Sequence, residues 1–186
     1  MRGLIAFLWL LILVGCSGGE SRPVPLPRAY PRIDIPDSAY RSIDSLPVEL
    51  AVNAGAVCSI RERDGGWWID ISYPGFTKGR FYLSLLYASP QNLHLMVDNR
   101  TERMALNLGG AWSEQIDLQS TGGWDCRLLV SSEAHAAPVQ MIAVGDGMML
   151  SGGFYTELPS SVPLDSVRPV FDAAKRDMLT MLKNLK

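Results

Sequence analysis

Histidine and cysteine are scarce in this chain, with two of the first and three of the second in 186 residues. That scarcity bears directly on chemistry. His94 and His135 stand far apart, so no His-x-x-x-His spacing places two ligands on one helical face, and no Cys-x-x-Cys pair exists. No Gly-x-Ser-x-Gly elbow presents a nucleophile. The glycine pairs at 65–66, 109–110, 122–123 and 152–153 lack a following Gly-Lys-Ser/Thr, which excludes a phosphate loop, and they read as turns or a strand kink. Charge of either sign is hardly in excess: 17 basic residues face 19 acidic ones, which offers nothing to nucleic acid. Long apolar runs are missing too. Leu4 to Val14 is the longest, and its eleven residues fall short of the roughly 20 that span a bilayer. The absences predict a non-catalytic protein with no cofactor and no metal.

What is present begins at the N-terminus. Arg2, the apolar run and small Gly15 have the form of a secretory signal. Leu13-Val14-Gly15-Cys16 resembles a bacterial lipobox, in which the cysteine is acylated on sulfur and becomes the first residue. The expectation is a signal peptide over residues 1–15 and lipid attachment at Cys16. Each buried methylene of an acyl chain contributes roughly 0.8 kcal/mol, so two or three chains anchor a protein durably. An uncleaved anchor helix is the alternative, and an eleven-residue run fits it poorly. With Cys16 assigned to lipid, Cys58 and Cys126 remain. In an oxidising compartment they can form a disulfide, or they can be two separate buried thiols; the sequence leaves both open.

Residues 16–47 read as a lipidated, proline-rich tether. Pro23, Pro25, Pro27, Pro31, Pro36 and Pro47 are six of the chain's twelve prolines, and such a segment favours an extended, semi-rigid spacer. Tyr30, Ile33, Ile35 and Tyr40 suggest that its second half lies along the body. Residues 48–186 read as a single α+β domain. Trp67 to Tyr73 alternates, with Trp67, Ile69, Ile71 and Tyr73 facing one way and Trp68, Asp70 and Ser72 the other. Pro74-Gly75 ends that strand, and Gly79 to Tyr87 forms an antiparallel partner. A helix follows from Pro90 to about Leu108, stopped by Gly109-Gly110. Strand character returns at Trp124 to Val130, and Val139–Val144 and Met148–Tyr155 make a hairpin around Gly145-Asp146-Gly147. Pro163 to Lys186 carries the clearest helical stripe, with Asp165 early and Lys183 late, as the helix dipole favours. These elements predict an antiparallel sheet with two amphipathic helices packed on one face.

Together the motifs resemble the gliding-motility lipoprotein GldD family of the Bacteroidota, over most of the chain that follows Cys16. The segments that carry the resemblance are co-linear: the lipobox, Tyr30-Pro-Arg-Ile-Asp-Ile-Pro36, the strand at Cys58, Trp68 to Pro74, Ala137 to Gln140, Gly153-Phe-Tyr155, and Asp165 to Val170 opening the last helix. There are departures. The family places a cysteine directly before the tryptophan strand, where this chain has Trp67, and a Lys-His pair near the end of its first helix, where Met104 to Leu108 has none. The resemblance implies a palmitoylated, periplasm-facing lipoprotein, an accessory of gliding motility and the type IX secretion machinery and not its cargo. Its partners would be the membrane, through the acyl chains, and envelope proteins of that apparatus. Either membrane suits the anchor. Ser17-Gly-Gly lacks an acidic export cluster, which favours the periplasmic side. A ligand- or glycan-binding lipoprotein of an uptake system is the runner-up, and a periplasmic envelope enzyme stands behind it.

Two further expectations concern the surface. Trp68 shares its face with Asp70 and Ser72, so it either contacts a partner or is covered by Tyr30 or Ile33 of the tether. Asp37-Ser-Ala, Asp44-Ser-Leu and Asp165-Ser-Val resemble the O-glycan acceptor pattern of exported Bacteroidota proteins. Ser38 and Ser45 are the candidate glycan sites, while Ser166 is expected to cap its helix.

Overall fold

A computed structural model describes residues 39–134, 136–159 and 161–186. The strands are β1 (Tyr40–Ser42), β2 (Ala51–Asn53), β3 (Val57–Arg63), β4 (Gly66–Tyr73) and β5 (Phe76–Tyr87), then, after helix α1 (Leu93–Leu108), β6 (Glu114–Gln119), β7 (Asp125–Val130), β8 (Val139–Gly145) and β9 (Met148–Thr156); helix α2 (Leu164–Lys183) follows. β3 to β9 form one seven-stranded sheet in the order β3-β4-β5-β9-β8-β7-β6. Every neighbouring pair is antiparallel. The fold is therefore α+β: two meanders, β3-β4-β5 and β6-β7-β8-β9, share one sheet. α1 carries the chain from the middle of that sheet to its far edge. β1 and β2 pair separately as a short antiparallel ribbon.

The turns follow from local chemistry. Asp146 and Gly147 both take positive φ, 50° and 68°, which is what a two-residue hairpin loop between right-twisted strands demands. In β4 the alternation works as read: Trp67, Ile69, Ile71 and Tyr73 are buried, while Trp68, Asp70 and Ser72 are half-buried on the other face. Cross-strand pairs continue the inner face onto β5, where Ile69 meets Leu83 and Ile71 meets Phe81.

The helices do not share a face. The stripe of α2, including Val167, Val170, Phe171, Ala174, Met178 and Met181, packs into the main core with Val139, Met141 and Ala143 of β8. Met104 of α1 packs instead on Ile142 and Met149, with Met96 and Val97 beside it. Ile142 lies between Met141 and Ala143, and alternate strand residues point to opposite faces. The expectation of two helices on one face is corrected on this point. The physical reason lies in β8, whose first five residues are all buried: a strand apolar on both sides needs cover on both.

The domain also begins earlier than residue 48. β1 lies inside the segment assigned to the tether, and Ile43 is a core residue. Tyr40 does lie along the body; Tyr30, Ile33 and Ile35 fall outside the described residues. The chain end is fixed against the same region, because Glu49 and Lys186 exchange both backbone hydrogen bonds, at 2.7 and 3.1 Å. β6 is an edge strand in which Ile116 and Leu118 are half-buried and the other four residues exposed, so its alternation is short and weak. No helix among the described residues is long and apolar enough to cross a membrane.

Candidate functional site

The most polar point of the interior is a carboxylate. Asp177 sits on the core side of α2, one turn after Ala173 and Ala174 and one before Met181, and is 2% exposed. Tyr40 from β1 donates a hydrogen bond to its Oδ1 at 2.8 Å, and Tyr73 from β4 donates to its Oδ2. Asn53 at the end of β2 adds a further contact. Burial raises the Asp177 pKa, and the hydrogen bonds from Tyr73, Tyr40 and Asn53 pull it back down. Burial, followed by the nearby carboxyl, raises the pKa of Tyr73 as well. Three separate elements are thus tied to one side chain of α2. The group is closed to solvent, so its work is structural: it fixes the β1–β2 ribbon and the main sheet to the C-terminal helix.

The opposite face of the sheet is more open. α1 has a single fully buried residue, Met104, and is held as much by polar bonds as by packing. Gln140, fully buried on β8, donates to the Met104 carbonyl at 3.0 Å, and Asn107 donates to Gln140 Oε1 at 2.9 Å. A helix resting on so few apolar contacts leaves space on both sides. Toward β6 and β7 lies a cavity of ≈ 500 Å³ whose lining includes Val97, Ile142, Val144, Asp117 and Arg127. Arg127 bonds Asp117 at 2.9 Å, and that bond, with one from Gln115, holds the Asp117 carboxyl below the usual range. Toward β5 and β9 lies a second cavity of ≈ 350 Å³, with Arg100 and Arg103 on its helical wall and Ser84 and Ser151 on its floor.

The residues singled out from the sequence do not converge. Cys16 and Ser38 lie outside the described residues, as does His135. Cys58 and Cys126 are free thiols. They stand on β3 and β7, with β4, β5, β9 and β8 between them. Five strand spacings put them roughly 24 Å apart, against the ~4.4–6.8 Å between Cα atoms that a disulfide requires. The disulfide expectation is therefore corrected in favour of two separate thiols. Burial pushes the Cys126 thiol up to about 11. Burial also raises Cys58, with Arg41 opposing it. Neither thiol is activated toward nucleophilic chemistry.

Ser45 is exposed in the turn between β1 and β2 and is accessible to modification. Ser166 does not cap α2; Pro163 holds that position, and no side chain caps the helix. His94 is exposed on α1. Trp68 is half-buried on the α1 side of the sheet, beside Asp70, which pairs with Arg61 at 3.0 Å.

Two features escaped the sequence reading. Trp112, in the segment between α1 and β6, is 66% exposed. Its backbone is nevertheless fixed, with its N–H donating to Glu133 Oε2 at 3.3 Å and its carbonyl accepting from Ser131 Oγ at 2.6 Å. A large aromatic held out by an ordered backbone is a ready contact for a partner. The second is Asp177. An aspartate three residues after Ala174 and four before Met181, within an otherwise apolar stripe, was a visible anomaly. Among the described residues no group of three His, Cys, Asp or Glu side chains is placed to hold a metal. No protein-family model matches the chain, and no curated protein matches it.

Proposed function

We propose that this chain is a lipid-anchored, periplasm-facing lipoprotein of the cell envelope, a non-catalytic accessory of gliding motility and type IX secretion. The observation that carries the reading is the lipobox ending at Cys16, followed by the co-linear GldD-like segments. Those segments fall on consecutive parts of the fold: Trp68 to Pro74 covers most of β4 and its turn, Gly153 to Tyr155 lies in β9, and Asp165 to Val170 opens α2. In this reading the acyl chains hold the protein at the membrane. The residues around Trp68, with exposed Trp112, meet an envelope protein of the apparatus, and Ser38 and Ser45 carry O-glycans.

Crosslinking and affinity capture from membranes of the native host test the reading. Enrichment of motility or secretion components with the native chain, reduced for Trp68→Ala or Trp112→Ala, supports it. Capture that contains no such component sinks it. A second reading, a ligand-binding envelope lipoprotein, is favoured by one observation: the cavity beside Arg100, whose lining includes both arginines, two serines and an apolar wall.

A further inference from the structure

Arg100 projects from the middle of α1 toward the β5–β9 part of the sheet. Its Nε and Nη2 atoms are buried and have no hydrogen-bond partner among the described residues. These two nitrogens form one edge of the planar guanidinium, and their N–H bonds run parallel. That edge matches the two oxygens of a carboxylate or phosphate in a bidentate pair. A buried donor without an acceptor is unfavourable, more so when it is charged. Among the described residues, the protein supplies no counter-charge to this guanidinium.

The surroundings agree on the sign and size of a suitable acceptor. The cavity of ≈ 350 Å³ beside Arg100 includes Arg103 and Asn99 on the helix and Ser84 and Ser151 on the strands. Room exists because the sheet is small here: Ser151 pairs with Ser84, and Gly153 is its next neighbour on the same face of β9. A second cavity of ≈ 380 Å³ shares both arginines and adds Leu106, Asn107 and Tyr155. Among the described residues, no acidic side chain lines either cavity. Neither arginine forms an ion pair among the described residues. Leu86, Met96 and Met149 supply an apolar wall next to the charged one. A volume of a few hundred cubic ångströms suits a small molecule.

We propose that the cleft between α1 and strands β5 and β9 binds a small amphiphilic oxyanion. Its carboxylate or phosphate is held by the paired charges of Arg100 and Arg103, and its apolar body lies against Leu86, Met96 and Met149. The inference stands on the cleft alone and does not depend on the assignment to the motility apparatus.

The test is a titration of the full ¹⁵N-labelled chain with hexanoate, hexyl phosphate and hexan-1-ol, following arginine Nε–H resonances. The Arg100 signal is assigned through Arg100→Lys. The proposal expects that signal to shift saturably with hexanoate, hexyl phosphate or both, and not with the alcohol. The stronger of the two anions identifies the head group. Arg100→Lys, read through the Ser84 and Ser151 amides, should weaken binding about tenfold or more. Ser84→Val, which fills the floor and leaves both arginines in place, should weaken it as well. Arg63→Lys, an exposed arginine paired with Asp64, should leave binding unchanged. No saturable shift with either anion, an equal response to the alcohol, or undiminished affinity in Arg100→Lys would each overturn the proposal.

Discussion

Tyr73 on β4 donates its phenolic hydrogen to the carboxyl of Asp177 on α2, 104 positions further along the chain. Tyr40 shares the same carboxyl. One buried side chain therefore joins the first ribbon, the main sheet and the last helix. Tyr73→Phe removes one donor from an enclosed carboxyl and should cost about 1–3 kcal/mol. Urea unfolding should show a lower midpoint with an unchanged slope.

The same carboxyl sets a pH dependence. Burial holds the folded pKa of Asp177 above 3.8, so the folded state keeps its proton longer than the unfolded chain. The stabilisation this gives is fully present below 3.8 and is lost as pH rises through the raised value. Asp177→Asn has no such titration. The stability of the native chain minus that of Asp177→Asn should therefore fall with rising pH across this window. A difference that grows with pH would mean that the fold prefers the ionised carboxylate.

The two thiols should behave independently. Intact mass should not change on reduction. In alkylation near pH 8, half-buried Cys58 should react before Cys126, whose thiol is raised to about 11. A reductant-sensitive link between them would contradict the strand order.

Adjacent tryptophans should give unequal results. Trp67 is 8% exposed and packs edge-on against Tyr87 with ring centroids 5.5 Å apart. Trp67→Ala should cost about 3–5 kcal/mol. Trp68→Ala, on the half-open face, should cost clearly less while reducing partner capture. Equal destabilisation would place Trp68 in a core it does not occupy here.

Gly152 is a packing position. A Cβ there would collide with the Tyr82 carbonyl and come within 2.8 Å of the Leu83 Cα, both backbone atoms of β5. Gly152→Ala should therefore cost about 1–3 kcal/mol or more. Gly75→Ala, with nothing within 4 Å, should be nearly neutral by the same thermal or denaturant measurement.

The sequence made some of this architecture readable and hid the rest for identifiable reasons. β4, β5 and the β8–β9 hairpin were legible because residues of one face recur every second position and the turns carry Pro-Gly or Asp-Gly. The helix α2 was legible from its stripe. The side of the sheet that α1 covers was not, because an apolar run such as Val139 to Val144 shows that both faces are buried without saying what covers each. β1 was hidden by the prolines around it. Arg100 carried no signal: an arginine in the middle of a helix is ordinarily solvated, and only the sheet beneath α1 reveals that its inner edge is enclosed. Trp112 was equally silent, since burial is the common state of a tryptophan.

Acylation at Cys16 is what places the protein at the membrane in the proposed function, and tandem mass spectrometry of the N-terminal peptide from native membranes measures it directly. The prediction is a chain that begins at Cys16 and bears two or three fatty acyl groups, with separate hexose-containing mass on the peptides of Ser38 and Ser45. A chain that retains Met1, or one that begins at an unmodified Cys16, would contradict it.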